Sequence, residues 1–386
     1  MKKKLSLFLL VLVLVTASLT GCGKPQETGS GSSDDVIKIG VFEPMTGAQA
    51  AGGEMTVEGI KLANEAKGEV LGKKVELVVV DNKSDKVEAA NAVSRLIDKD
   101  KVVAIIGSYS SSLSMSAGDI VKKAKVPAVG CSPTNPLVTL NNDYYFRVCF
   151  IDPFQGTVMA NYAVNDLGAK TAAIIQDVNQ DYSVGLSKYF VDSFKELTGD
   201  ENSIVEMTSY NTGDQDFTAQ LTNVKAKNPD VIFAPGNYGE CALLIKQARD
   251  LGIEVPVLGG DTWEAPEFLQ IGGNAVEGAV FSTHFTAEAP VTEKSTVFLD
   301  EYEAKFEKEA NAFAALGYDA YMVILDAIER GNSTDSEDIR DKLAETKDFV
   351  GATGNITIDE NGDAVKSAVI KKVDGGKFVY LTTVEP

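Results

Sequence analysis

The sequence predicts an α/β protein of two doubly wound parallel-sheet lobes, and three observations carry that expectation. Apolar runs rich in β-branched residues, such as VVAII at 102–106 and TAAIIQ at 171–176, lack polar alternation, as strands covered on both faces do. Each run is followed by a stretch of helical periodicity, and the strand and helix order restarts near residue 154. The chain has 386 residues, enough for two domains at roughly 150 residues each.

Along the first series, VIKIGVF at 36–42 is a buried-type strand. PMTGAQAAGG, crowded with small residues, reads as a turn, and 54–67 as an amphipathic helix. VELVVV at 75–80 is the next strand, followed by a helix over 86–99, the strand VVAII, a helix over 112–124 and a short strand at 127–130. The crossovers are expected to be right-handed. The second series runs helix 154–167, strand 171–176, helix 183–197, strand 203–209, helix 217–227, strand 230–234, helix 240–251, strand 256–259, helix 266–271 and strand 278–283. Helical stretches at 291–310, 312–330 and 336–344 follow. Strand and turn chemistry ends the chain, at 354–358, the turn Glu360-Asn361-Gly362-Asp363, 367–373 and, after Asp374-Gly375-Gly376, 378–382.

The amino terminus has a different character. Lys2, Lys3 and Lys4 precede an apolar run from Leu5 to Val15 and then small residues, the pattern of an export signal and too short for a stable spanning helix. Leu19-Thr20-Gly21-Cys22 resembles the bacterial lipobox, which implies removal of residues 1–21 and acylation of the Cys22 sulfur. The small, polar stretch after Cys22 makes 22–35 a lipidated Cys and flexible tether. The expected location is therefore the outer face of the cytoplasmic membrane, on a Gram-positive-type surface or in a periplasm.

Composition narrows the function. Lys and Arg number 36 against 56 Asp and Glu, a net charge of −20, so nucleic acid is not an expected partner, because neutralising phosphates needs a basic surface. One histidine, His284, excludes a zinc site built on several imidazoles and is the only residue available for a Ser-His-Asp triad. There is no HExxH, no GxSxG, no GxGxxG after a strand, and no Walker A, since the stretch from Gly68 to Gly72-Lys73 is one residue short. The chain reads as a binding protein, not an enzyme, with no metal and no cofactor. Beyond Cys22 the cysteines are Cys131, Cys149 and Cys241, expected as buried thiols, with a Cys131–Cys149 bridge allowed in an exported protein.

In open α/β sheets, ligands bind at the carboxyl ends of the strands. The strand ending at Gly107 runs into Ser108-Tyr109-Ser110-Ser111-Ser112 before a helix, hydroxyls and free N–H groups suited to a carboxylate or phosphate, although plain capping needs only one serine. The neighbouring strand ends in Cys131-Ser132-Pro133-Thr134-Asn135-Pro136, a stiff loop that offers carbonyls or is an ordinary turn. In the second series Tyr182 stands where a loop meets a helix. Asp261 lies beside Trp263, an acid and an aromatic that suit an ammonium group, or Asp261 simply caps a helix.

The lipobox, IKIGVFEPMTGAQAAGG, VVVDNKSD, IIGSYSSS, CSPTNP, YYFRVCFIDPFQG, QDYSVGLS and GGDTW, in this order and spacing, resemble the solute-binding proteins of branched-chain amino-acid ABC importers, from about Ile37 to Val379. The resemblance implies a type I periplasmic-binding-protein fold, with two lobes joined by three crossings near Ile151–Asp152, His284–Phe285 and Lys366. Lobe 1 would then comprise 36–151 and 285–365, and lobe 2 would comprise 152–284 and 366–386, with His284 structural at a crossing. Residue by residue, it implies that Ser111, flanked by Ser110 and Ser112, holds an α-carboxylate. It implies that Thr134 meets carboxylate and ammonium, that the Ser132 carbonyl accepts from the ammonium, that Asp261 is its counter-ion and that Tyr182 closes over the ligand backbone.

The side-chain pocket would draw on Phe42, Gly52, Tyr109, Asn237, Tyr238 and Trp263. Gly52 and Asn237 depart from the family pattern, which has aromatic residues there. Less bulk at Gly52 would admit a larger ligand, and Asn237 would contact a polar one. The implied function is capture of a free amino acid, branched-chain or aliphatic first, for delivery to ABC permease subunits. The alternative is a same-fold receptor for an aromatic or polar amino acid, an amide or urea, or one that feeds a sensor.

Overall fold

The computed structural model describes residues 36–386; the expected signal at 1–21, Cys22 and the tether at 22–35 lie outside the described residues. β1 (Val36–Glu43) leads into α1 (Ala50–Ala66), and β2 (Glu69–Val70) pairs antiparallel with β3 (Lys73–Asp81). α2 (Lys86–Arg95), β4 (Ala104–Ile106), α3 (Ser111–Ala124), β5 (Ala128–Gly130) and β6 (Tyr145–Arg147) complete a six-stranded sheet of order β2-β3-β1-β4-β5-β6, parallel apart from β2.

α4 (Asp152–Asn161) opens the second lobe. It continues with β7 (Ala172–Asp177), α5 (Asp181–Thr198), β8 (Ile204–Tyr210), α6 (Thr218–Lys227), β9 (Val231–Phe233), α7 (Tyr238–Asp250), β10 (Val257–Gly259), α8 (Pro266–Gly272) and β11 (Val280–Thr283). The chain then returns to the first lobe as α9 (Glu293–Phe306), α10 (Ala312–Gly331), α11 (Ser336–Ala344) and the small hairpin of β12 (Phe349–Gly351) and β13 (Gly354–Ile356). β14 (Ala368–Asp374) and β15 (Lys377–Val384) add antiparallel strands beside β11, giving a seven-stranded sheet of order β15-β14-β11-β10-β9-β7-β8.

Both sheets are covered on both faces, which is why their strands lack polar alternation. In β1, Ile37, Ile39 and Val41 pack into a core with α1 and α10, while Phe42 faces the core shared with α2 and α3. In β7, Ala173 and Ile175 face α7 and α8, whereas Ala172 and Ile174 face α4 and α5. Met55, Tyr109 and Phe313 from the first lobe join the second lobe's core, so the two lobes meet partly through apolar contact.

Some expectations need correction. α1 starts at Ala50, not near residue 54, because Gly52 and Gly53 belong to the helix. A Cβ at Gly53 would lie 2.1 Å from the Pro44 carbonyl oxygen, so the glycine serves close backbone approach. The helices expected over 86–99 and 154–167 give way to π turns at Leu96–Asp100 and Tyr162–Asp166. β2, β6 and β12 were not expected as strands; each is two or three residues long, too short to show a period. Cys131, Cys149 and Cys241 are free and buried. Burial pushes the Cys149 and Cys241 thiols up to about 12, which keeps them protonated and unreactive. Among the described residues no helix is long and apolar enough to cross a membrane.

Candidate functional site

The carboxyl ends of the two sheets face each other across a closed cleft. The cavity left between them is about 10 Å³, room for roughly one water molecule. From the first lobe Gln49, Tyr109, Ser110, Ser111 and Ser132 line it. From the second come Gln180, Tyr182, Asn237, Asp261 and Thr262.

On the first-lobe side α3 begins at Ser111, with Ser110 at its N-cap. The Ser110 side chain makes no capping bond, so its hydroxyl stays available at the positive end of the helix dipole. The Ser111 hydroxyl accepts from the Asn135 N–H at 3.1 Å and ties the helix start to the 131–136 loop. Ser132 Oγ donates to the Tyr109 carbonyl at 3.0 Å, which joins the same loop to the serine run. Arg147, fully buried, braces the loop from behind by donating to the carbonyls of Pro133 at 2.5 Å and Asn135 at 3.0 Å.

On the second-lobe side Asp261 is 1 % exposed and held by three donors. Gln155 Nε2 at 2.9 Å and the Tyr182 hydroxyl at 2.8 Å donate to its Oδ1, and His284 Nε2 lies 3.2 Å from Oδ2. Gln155 also donates to Ser282 Oγ at 3.0 Å, and the His284 ring packs on Phe150 at 3.9 Å between centroids. His284 therefore does more than support a crossing; it orients the acid of the site. No Lys or Arg among the described residues pairs with Asp261.

Two further acids stand close behind. Glu43 at the end of β1 is fully buried and accepts from the Tyr109 N–H at 2.6 Å. Burial pushes its carboxyl up to about 8. Asp152 at the start of α4 is likewise buried, and burial pushes it up to about 8, with the neighbouring Thr134 hydroxyl offsetting only part of the effect. Both acids are mostly neutral at pH 7.

Several expected site residues lie elsewhere. Ser112 does not line the cavity, because its hydroxyl accepts from the Asp181 N–H at 2.9 Å and donates to Asp181 Oδ2 at 2.9 Å, joining the lobes. Lys86, 3.0 Å from the same carboxylate, and the Asn135 amide, 2.8 Å from the Asp181 carbonyl, complete that contact. Thr134 is fully buried and does not line the cavity. Phe42 belongs to the core between the first sheet and α2 and α3. Trp263 belongs to the second lobe's core, where its ring stacks on Phe268 at 4.8 Å. Tyr238 reaches across the cleft, its hydroxyl accepting from the Ala51 N–H at 3.3 Å.

Gly52 does not enlarge the pocket. A Cβ there would stand 2.3 Å from Tyr109 Cε2, so the space is filled by the Tyr109 ring. Sequence reasoning missed Gln49, Gln155, Gln180, Thr262, Glu43 and Asp152, and assigned His284 only a supporting part. A polar residue beside a strand end is the one signal available for most of them. Among the described residues no cluster of three or more His, Cys, Asp or Glu could hold a metal ion.

The family described as periplasmic binding protein matches residues 36–377. The chain is 31 % identical to Leu/Ile/Val-binding protein homolog 3 of Brucella melitensis, over 89 % of this chain and 93 % of that protein. It is similar to the leucine binding protein LivK of Thermotoga maritima, with 48 % identity, a TM-score of 0.88, and coverage of 91 % of this chain and 99 % of that one. The branched-chain amino acid transporter substrate binding protein LivJ of Streptococcus pneumoniae, solved with isoleucine, shares 36 % identity at a TM-score of 0.85, over 91 % of this chain and 100 % of that one. With two doubly wound lobes closed over a cavity at their strand ends, the chain belongs to the periplasmic binding protein family.

Proposed function

We propose that the chain captures a free α-amino acid as its zwitterion and presents it to ABC permease subunits. The single observation that carries this reading is Asp261: a buried carboxylate aimed at the cavity, held by Gln155, Tyr182 and His284 but by no Lys or Arg among the described residues. A buried charge needs a counter-charge, and a ligand ammonium supplies it. The ligand carboxylate lies at the amino terminus of α3 with the Ser110 and Ser111 hydroxyls. The Ser132 carbonyl receives a second ammonium proton, Thr134 stands behind that loop, and Tyr182 covers the ligand backbone.

A zwitterion thus binds the first lobe through its anion and the second through its cation. Only the closed state satisfies both, so ligand selects closure. The hinges are the crossings near 151–152, 284–285 and 366, which divide the chain into 36–151 with 285–365 and 152–284 with 366–386. The names of LivK and LivJ support an aliphatic, branched-chain ligand class. A lipid on Cys22 and the tether at 22–35 hold the body at the outer face of the membrane, within reach of an immobile permease.

Melting the full chain in detergent, after unfolding and refolding to strip carried-over ligand, tests this. Aliphatic amino acids raise the melting temperature by mass action, and their amino-free analogues do not. A shift produced only by compounds without an α-ammonium would overturn the Asp261 role and the ligand class together.

A further inference from the structure

Beside the cavity, the amino termini of α3 and α5 meet from opposite lobes. Helix amino termini carry partial positive charge, so two that meet are favoured by an anion between them. α3 has no acid in its first turn, and α5 has Asp181. The Asp181 carboxylate accepts from the Ser112 hydroxyl of α3 at 2.9 Å and from Lys86 of α2 at 3.0 Å, both in the first lobe. The backbone adds two more bonds across the lobes. The Asp181 N–H donates to Ser112 Oγ at 2.9 Å, and its carbonyl accepts from Asn135 Nδ2 at 2.8 Å. The Lys86 and Asp181 side chains are partly exposed, so their ion pair alone is worth little. Ser112 and Asn135 are 2 % and 4 % exposed, so the bonds they make count for more.

Asn135 ties this contact to the ligand site. Its N–H donates to Ser111 Oγ at 3.1 Å, and its Oδ1 accepts from the Leu137 N–H at 2.9 Å, which fixes the amide with Nδ2 toward α5. One helical turn beyond Asp181, Gly185 presents no side chain to that amide. A Cβ there would stand 2.6 Å from Asn135 Nδ2 and 3.3 Å from Asp152 Oδ2, and Asn135 cannot yield without giving up its bonds to Asp181 and Leu137. Glycine at 185 therefore serves the approach of the lobes and not the helix itself, in which alanine is the better former.

Lys86, Ser112, Asp181 and Gly185 do not line the cavity. Their contacts add the same free energy to the closed state whichever ligand it holds, and apparent affinity scales with the population of the binding-competent state. We infer that Asp181 and Gly185 are positioning residues for closure, which set how long the closed lobes retain a ligand by one factor common to every ligand the cavity accepts. The inference rests on the amino-acid reading above, which supplies the ligands and the closing motion.

Stopped-flow release and calorimetry on the stripped full chain in detergent test it, with leucine, isoleucine and valine as probes. Asp181→Ala speeds release of all three by one shared factor of about fivefold to tenfold, with little change in association rate. Gly185→Ala weakens all three by about tenfold or more. The stripped Gly185→Ala chain melts no lower than the unmodified one, because alanine favours α5 until the lobes close. Release rates unmoved by both substitutions would overturn the inference and leave the amino-acid reading intact. Factors that differ among the three ligands would place the effect in the cavity, and a stripped Gly185→Ala chain that melts lower would place its clash within a lobe; either result overturns the closure role. An unmodified chain that binds none of the three would overturn the amino-acid reading, and the inference with it.

Discussion

Around Asp261 the cavity is finished; around Tyr109 it is open. At Asp261 three side chains from separate elements, Gln155 of α4, Tyr182 of α5 and His284 at a crossing, already point at the carboxylate. Near Tyr109, its hydroxyl, Gln49 Oε1 and Asn237 Oδ1 come from separate elements and have no partner among the described residues. The acid at 261 is thus oriented by groups of the second lobe itself, an arrangement that lowers the cost of pairing it with an ammonium.

The largest effect belongs to the finished end. Asp261→Ala weakens binding of every amino acid by about 2–5 kcal/mol, because a buried ammonium loses its partner whatever the ligand's side chain. Calorimetry on the folded variant decides the matter, and a loss smaller than about tenfold would break the contrast between the two ends.

Gly52→Ala acts at the open end. Its Cβ would lie 2.3 Å from Tyr109 Cε2, so the ring must move, at about 1–3 kcal/mol of overpacking. The expected result is weaker binding, relieved when Tyr109→Ala is added. Two effects that simply add in the double variant would show that the ring and the glycine do not compete for one space.

The smallest effect on affinity belongs to the buried acids outside the cavity lining. Burial raises Asp152 from 3.8 and Glu43 from 4.5 to about 8. Between those limits the folded chain keeps protons that the unfolded chain has lost, so stability falls as pH rises toward 8 and levels off above it. Asp152→Asn makes the decline in melting temperature between about pH 5 and pH 8 shallower, with ligand affinity at neutral pH little altered. An equal decline in the variant would remove Asp152 as its source.

Much of the fold was legible because its signals are local. A strand covered on both faces and a helix with one apolar stripe each write their period into adjacent residues, and the order of the two dictates parallel sheets. The α3 serines and Asp261 were legible for a related reason, since strand ends are where such folds gather ligands. Ser112 shows the limit of that reasoning. It follows Ser111 in the same run, yet one helical step turns its hydroxyl to Asp181 and lobe closure. Phe42 and Trp263 fail the same way: each neighbours the site in sequence but faces a core.

What the sequence determined by itself is the alternation of elements, the strand ends at which a site forms, and the acidic charge of the chain. What only the tertiary structure decided is which groups share a space. The meeting of Gln155 and His284 at Asp261, the Tyr109 ring filling the gap above Gly52, and the trio of Gln49, Tyr109 and Asn237 each join residues distant in the chain. Periodicity reports the face on which a side chain lies. Which partner packs against that face depends on how the two lobes close, and no local pattern encodes it.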